Sequence, residues 1–306
     1  MHEILHVAII TLSILALWQG AVWTVTSAAR LARRFGVSEL VIGLTVVAIG
    51  TSAPEFAVSI GAAVKGHPDL AIANVVGSNI FNLGFILGIV LLVRTVPTTR
   101  TMVFRDGIML SGTGTLLLVF LSDHQLGSFE GAILLALLLG YILLLYLKRD
   151  VAREELPAGD FHWWDVPMVL LGITCIVLGA HFLVASSTVL ARAAGISEWT
   201  IGISIVAVGT SMPEFVTSFV AILRKRQGIS IGNLIGSDVF NLLGVLGVAA
   251  VLRPLNASDD ALLHVAVLAA FMLVILMMMR TGWKLSRVEG ALLLTITVFR
   301  WLLHLR

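Results

Sequence analysis

Apolar residues in this chain gather into long runs separated by short stretches of charged, proline and glycine residues. A helix needs about 17 to 25 consecutive apolar residues to cross a hydrocarbon core. Ten such runs are present, roughly over residues 4–27, 39–64, 70–93, 102–121, 129–147, 164–189, 198–222, 229–252, 262–279 and 286–303. The pattern predicts an all-α integral membrane protein of ten transmembrane helices, with the lipid bilayer as its solvent. The first run has no basic start and exceeds the roughly 7 to 15 apolar residues of a cleaved signal segment, so it is expected to belong to the fold.

Two runs carry the same phrase. Residues 47–56 read VAIGTSAPEF and residues 206–215 read VAVGTSMPEF, 159 positions apart. At that offset 27–56 and 186–215 agree at 17 of 30 positions without a gap, and NVVGSNIFN of 74–82 aligns with NLIGSDVFN of 233–241. Self-similarity of this kind marks an internal duplication. Five runs fall in each half, giving a first repeat over 1–147, a linker over 148–163 and a second repeat over 164–306. An odd number of crossings per copy sends equivalent positions into the membrane from opposite sides, so the expected fold is two inverted five-helix repeats.

Charge follows the same division. Lys and Arg concentrate in the cytoplasmic loops of membrane proteins. Here 15 of the 20 basic residues follow odd-numbered runs, in trios such as Arg30, Arg33 and Arg34 or Arg224, Lys225 and Arg226. Only Lys65, Arg192, Arg253, Arg300 and Arg306 are assigned to the other side. Both termini are therefore expected outside a plasma or inner membrane. Arg30 and Arg34 become Val189 and Ala193 in the second copy, as two opposed orientations require. With 58% hydrophobic and 12% charged residues, the chain lies far from soluble domains, which carry about 25% charge. A formal charge of +2 spread over short loops gives no reason to expect nucleic acid. A single cysteine, Cys175, leaves neither a disulfide framework nor a zinc site with cysteine ligands.

Against this background the polar residues kept in both copies are expensive. A charge at the centre of a membrane helix costs roughly 2.5 to 3.5 kcal/mol on insertion scales, and Glu55 and Glu214 both sit there. Pro54 and Pro213 precede them, and each proline leaves the carbonyl four residues back, Gly50 or Gly209, without its helical donor. Carbonyls freed at membrane depth are tolerated only where protein or a water-filled cavity receives them. Thr51, Ser52 and Glu55 fall within one turn and share a face, as do Thr210, Ser211 and Glu214. Ser78 and Asn82 are four apart on the third run, and Ser237 and Asn241 on the eighth. All of these groups offer oxygen, and no His or Cys cluster stands at ligand spacing, so the expected occupant is a hard cation such as Ca²⁺ or Na⁺. One divalent ion or two monovalent ions neutralise two carboxylates equally well, and competition between them follows from charge balance. Ser59 and Ser218 read instead as helix-packing residues bonded to the backbone.

The GTSxPE and GNxxGSNxFN pairs resemble the two alpha-repeats of the cation/calcium exchanger superfamily, in its prokaryotic sodium/calcium exchanger branch, and the resemblance covers essentially all ten runs. It implies a diamond-shaped cluster of ion sites at the bilayer midplane, formed by the second, third, seventh and eighth spans. Carried over position by position, it makes Glu55 and Glu214 the calcium-binding carboxylates. Thr51, Ser52, Ser78, Thr210, Ser211 and Ser237 become Na⁺ or Ca²⁺ ligands, and the carbonyls of Ala48 and Ala207 with the amides of Asn82 and Asn241 complete the shell. The first and sixth spans would slide against the other eight. No cofactor is implied, only Ca²⁺ and Na⁺ bound as cargo. Two departures stand out: some family members carry aspartate where this chain has Asn241, and Asp238 and Gly232 stand where the first copy has Asn79 and Ala73.

The expectation is a secondary antiporter that exchanges Na⁺ for Ca²⁺ by alternating access. An H⁺- or K⁺-coupled antiporter and a passive cation channel are alternatives that the same residues admit. An enzyme is not expected, since there is no HExxH run and no Ser/His or Ser/Lys pair stands out across aligned spans.

Overall fold

The computed structural model describes residues 2–148, 161–196, 205 and 207–304. Most of the 148–163 linker, the opening of the seventh apolar run and the last two residues lie outside the described residues. Without water in a bilayer core, backbone groups must be satisfied within their own segment, and the described chain does this with helices. Helix α1 (His2–Phe35) ends at Gly36, whose φ of 63° lets the Gly36 and Val37 N–H groups return to Arg33 and Ala32 carbonyls. Helix α2 (Glu39–Thr51) starts from Ser38, whose hydroxyl accepts the Val41 N–H at 3.3 Å.

At Ser52 (φ −80°, ψ 9°) the chain bends by 51° into α3 (Ala53–Val64). Pro54 occupies the first turn of α3, where its missing N–H has no helical partner to lose. Further along come α4 (Pro68–Val93), α5 (Met102–Asp123), α6 (Ser128–Leu147) and α7 (Asp165–Ala193). The short α8 (Ala207–Thr210) and α9 (Met212–Leu223) lead to α10 (Gln227–Leu252), α11 (Asp259–Arg280) and α12 (Arg287–His304). Among the described residues, seven helices are long and apolar enough to cross a membrane, or eight if α2 and α3 count as one bent span. The chain is an all-helical membrane protein.

Element boundaries recur at the spacing of the sequence repeat. Both ends of α3 reappear 159 residues on as the ends of α9, and both ends of α4 as those of α10. Even the irregularities repeat: a π-helical turn interrupts α4 at Phe81–Ile86 and α10 at Phe240–Val245.

Short strands stitch the loops. β1 (Val96–Pro97) pairs antiparallel with β4 (Lys284–Leu285), and β2 (Gln125–Leu126) with β3 (Leu255–Asn256). Packing separates into two cores. The larger one is built on α4, α5, α6, α10 and α11; the smaller joins α1 and α7 to one face of α2 and α9. Between α1 and α7 the backbones nearly touch: a Cβ on Gly20 would lie 2.7 Å from the Gly172 carbonyl, and one on Gly179 3.0 Å from that of Ser13. Small residues of this kind let membrane helices approach closely. An Arg30–Asp165 ion pair at 3.1 Å ties one end of α1 to the start of α7.

Candidate functional site

Broken and widened helices converge in the middle of the fold. The bends at Ser52 and Ser211 present the first turns of α3 and α9, carrying Glu55 and Glu214, to the π-helical regions of α4 and α10. Single π turns re-aim side chains and are common at functional sites. Glu55, Glu214, Ser52, Ser211, Thr51, Ser237, Asn241 and Asp238 are wholly buried there, and Ser78 and Asn82 nearly so.

The hydrogen bonds cross between the repeats. Ser52 donates to Glu214 Oε1 at 2.9 Å, and Ser211 donates to Glu55 Oε1 at 3.1 Å, with Ser78 3.4 Å from the same Glu55 oxygen. The sequence puts Ser52 and Glu55 on one face; the bend turns the serine toward the other copy's glutamate instead. Asn82 donates to Asp238 Oδ1 at 3.0 Å and Asn241 to Asn79 Oδ1 at 3.1 Å, while Asn79 reaches the Asp238 carbonyl. Thr51 donates toward Asn233 Oδ1 at 3.0 Å and lies 3.5 Å from the Ser237 hydroxyl.

After this accounting, five buried oxygens of these carboxyls and amides have no hydrogen-bond partner among the described residues: Glu55 Oε2, Glu214 Oε2, Asn82 Oδ1, Asn241 Oδ1 and Asp238 Oδ2. Stranding one buried polar atom costs about 1 to 3 kcal/mol, and more for a charged group. Among the described residues no Lys, Arg or His stands within ion-pair distance of the three carboxyls. Nor do three or more His, Cys, Asp or Glu gather into a metal-holding group among those residues. Such a donor set, all oxygen and mostly neutral, suits a hard cation and not a transition metal.

The expected carbonyl ligand Ala48 is occupied, accepting the Ser52 N–H at 3.0 Å with the Thr51 hydroxyl at 3.2 Å. Thr210 closes α8 and is half-buried, and Ala207 opens that helix. Ser59 and Ser218 differ from their expected backbone bonding. Each hydroxyl accepts a side-chain amide, from Asn74 at 2.8 Å and from Asn233 at 3.0 Å, and the same amides lie 3.4 Å from the Glu55 and Glu214 carbonyls. Asn74 and Asn233 thus brace the two broken helices against α4 and α10. Their only sequence signal was recurrence at the repeat offset.

On one flank the cluster is sealed by α2 against α10. A Cβ on Gly232 would stand 2.5 Å from the Leu40 carbonyl, and one on Gly236 2.6 Å from Leu44 Cα. An Arg226–Glu39 ion pair at 2.6 Å closes the rim of this seam. On the opposite flank, among the described residues, no atom lies within 4 Å of where a Cβ on Gly77, the repeat counterpart of Gly236, would go.

Known proteins share this architecture. The sodium/calcium exchanger protein family matches residues 5–147 and 164–300. The sodium/calcium exchanger MaX1 of Methanosarcina acetivorans is 31% identical over 95% of each chain. The inner membrane protein YrbG of Escherichia coli is 32% identical over 98% of this chain and 96% of its own. The solved structure of the sodium-calcium exchanger NCX_Mj, soaked with zero Na⁺ and Ca²⁺, superposes with a TM-score of 0.88 at 29% identity over 99% of both chains. With the family matched on both sides of the linker and relatives aligned nearly end to end, the chain belongs to the sodium/calcium exchanger family, whose members are ion-transporting antiporters and not enzymes.

Proposed function

We propose that this protein exchanges Na⁺ for Ca²⁺ across the membrane by alternating access, holding each load in turn between Glu55 and Glu214. The observation that carries the reading is the crossed pair of serine–glutamate hydrogen bonds. Each glutamate spends one oxygen on the other repeat and keeps the second unbonded, and the buried amide oxygens of Asn82 and Asn241 are unbonded too. Ca²⁺ takes 6 to 8 oxygens and Na⁺ is a similarly hard ion, so one polar cluster can serve both. Asp238 supplies a third carboxyl, one turn from the position where some family members carry theirs. Three Na⁺ would balance three carboxylates, and one Ca²⁺ would balance two and leave one negative charge uncompensated. Such an exchange moves one net charge, worth about 2.3 kcal/mol per 100 mV of membrane potential.

Ten spans in two inverted repeats belong to the same reading, and strand pairing supports them. β1 follows α4 and β3 follows α10 at the same point of the repeat, yet β1 pairs with β4, one helix beyond β3. Loops that pair share a side, so α4 and α10 end on opposite sides. Loop charge puts the termini outside, and the inner-membrane relative in E. coli accords with a plasma-membrane location. In this orientation the sealed α2–α10 seam faces the cytoplasm and the Gly77 flank faces out. The α1–α7 pair, with its own small core, is the part that would slide.

Purified protein in liposomes should take up radiolabelled Ca²⁺ when an outward Na⁺ gradient is imposed. Glu55→Gln and Glu214→Gln should each abolish it; uptake surviving in both would refute the assignment. Offering K⁺, Li⁺ and a pH gradient in place of Na⁺ reads the coupling ion directly, and flux without any counter-ion would indicate a channel.

A further inference from the structure

The sequence pattern assigned Arg300 to the sparse charges of the outer side, but it lies within α12 and not in a loop. Its depth follows from packing. Gly88 of α4 lies against the Gly290 carbonyl of α12, and Gly84 lies against the Thr297 side chain. At about 1.5 Å per residue, Arg300 stands roughly 4.5 Å beyond Thr297, about level with Phe81 and one turn from Ser78. A cavity of about 410 Å³ joins them, lined by Asn74, Ser78 and Phe81 on one wall, Arg300 and Trp301 on another, and Val208 of α8. Arg300 is half-buried, and among the described residues no acidic side chain stands within ion-pair distance of it. An ionisable side chain at this depth is costly and marks function. Arginine also stays protonated in proteins.

We infer that Arg300 sets the ion preference of the cluster as a fixed positive charge in the cavity wall, weakening Ca²⁺ binding by the square of the factor by which it weakens each Na⁺. The inference rests on reading the Glu55–Glu214 cluster as the ion site. Its form is Boltzmann's: the potential at the site enters the binding constant multiplied by the ion's charge, so the divalent factor is the monovalent factor squared. Helix axes pack about 8 to 10 Å apart, so the guanidinium lies on the order of 10 Å from the cluster. At an effective dielectric constant of about 40, one unit charge at that distance changes binding about fourfold for Na⁺ and about sixteenfold for Ca²⁺. Against a load of three Na⁺ the same potential enters cubed, about sixty-fourfold, so Arg300 shifts the competition toward Ca²⁺ without touching either ion.

The test is equilibrium binding of radiolabelled Ca²⁺ to the purified full chain, with Na⁺ competition giving the dissociation constant per Na⁺. Arg300→Gln should tighten Na⁺ about fourfold and Ca²⁺ about sixteenfold. Arg300→Glu should repeat both factors once more, and Arg300→Lys, which keeps the charge, should restore the original ratio. Equal factors for the two ions, or no change in either, would overturn the inference, because a purely steric role does not distinguish ion charge. Because the readout is binding, protein that binds Ca²⁺ without exchanging it refutes the transport reading while the square relation is still measured.

Discussion

Two flanks of the ion cluster are built from one repeated motif and packed in opposite ways. At Gly232 and Gly236 the α10 backbone lies against that of α2 with no room for a methyl group, whereas at Ala73 and Gly77 the equivalent surface of α4 is exposed. Glycine inside a helix costs about 1 kcal/mol relative to alanine. At Gly236 the close contact explains that cost; at Gly77 no described neighbour does. Under the proposed alternating access, such a glycine is accounted for if the second copy of the seam closes when the first opens.

Filling the closed seam should have the largest effect. Gly236→Val would drive branched carbons into the Leu44 backbone, and overpacking of this kind costs about 1 to 3 kcal/mol or more. Thermal unfolding in detergent should drop by several degrees and Ca²⁺ uptake should vanish. Gly77→Val sharpens the contrast. Its melting temperature should stay within about a degree of the parent, since no described atom lies within 4 Å of the Cβ position and the loss of helix-interior glycine offsets the cost of a branched side chain. Transport should nonetheless fall at least tenfold by the seam argument, so full transport in Gly77→Val would remove the case for a second closing seam.

Asp238→Asn should leave Ca²⁺ uptake measurable while lowering the Hill coefficient for Na⁺ by about one, read from initial rates against internal Na⁺. An unchanged coefficient would place Asp238 outside the ion load. Smallest is the rim. Replacing the cation of the largely buried Arg226–Glu39 pair with Arg226→Lys, which keeps a charge beside the carboxylate, should cost about 1 kcal/mol or less. Its signature would be faster protease cleavage near Glu39, with little change in melting temperature.

Much of this site could be read from residues alone, and the limits have physical causes. Glutamates beside prolines in apolar runs are too costly to be incidental, so Glu55 and Glu214 were visible at once. Spacing along a single helix put Ser52 beside Glu55, but the 51° bend hands it to Glu214, and no pattern of i and i+3 reveals a partner 162 residues away. The π-helical turns at Asn82 and Asn241 were equally hidden, because an added residue per turn leaves apolar periodicity unchanged in a run that is apolar all round. Asn74 and Asn233 looked like ordinary members of a motif until their amides met Ser59 and Ser218. Arg300 misled for a different reason: it lies inside the tenth run, at 286–303, and a charge count assigns a side, not a depth.

The glycine-lined contact between α1 and α7 bears on how the chain is made. Helix α1 leaves the ribosome well before α7, exposing Gly20, Ala21 and Ala28 to lipid, and its mate at Gly172 and Gly179 follows only about 150 residues later. The loop strands wait longer still, since Gln125 finds Asn256 across 131 residues. Biogenesis must therefore hold an unpartnered α1 in the bilayer until α7 arrives, and truncation before residue 165 should leave α1 a free target for membrane quality control.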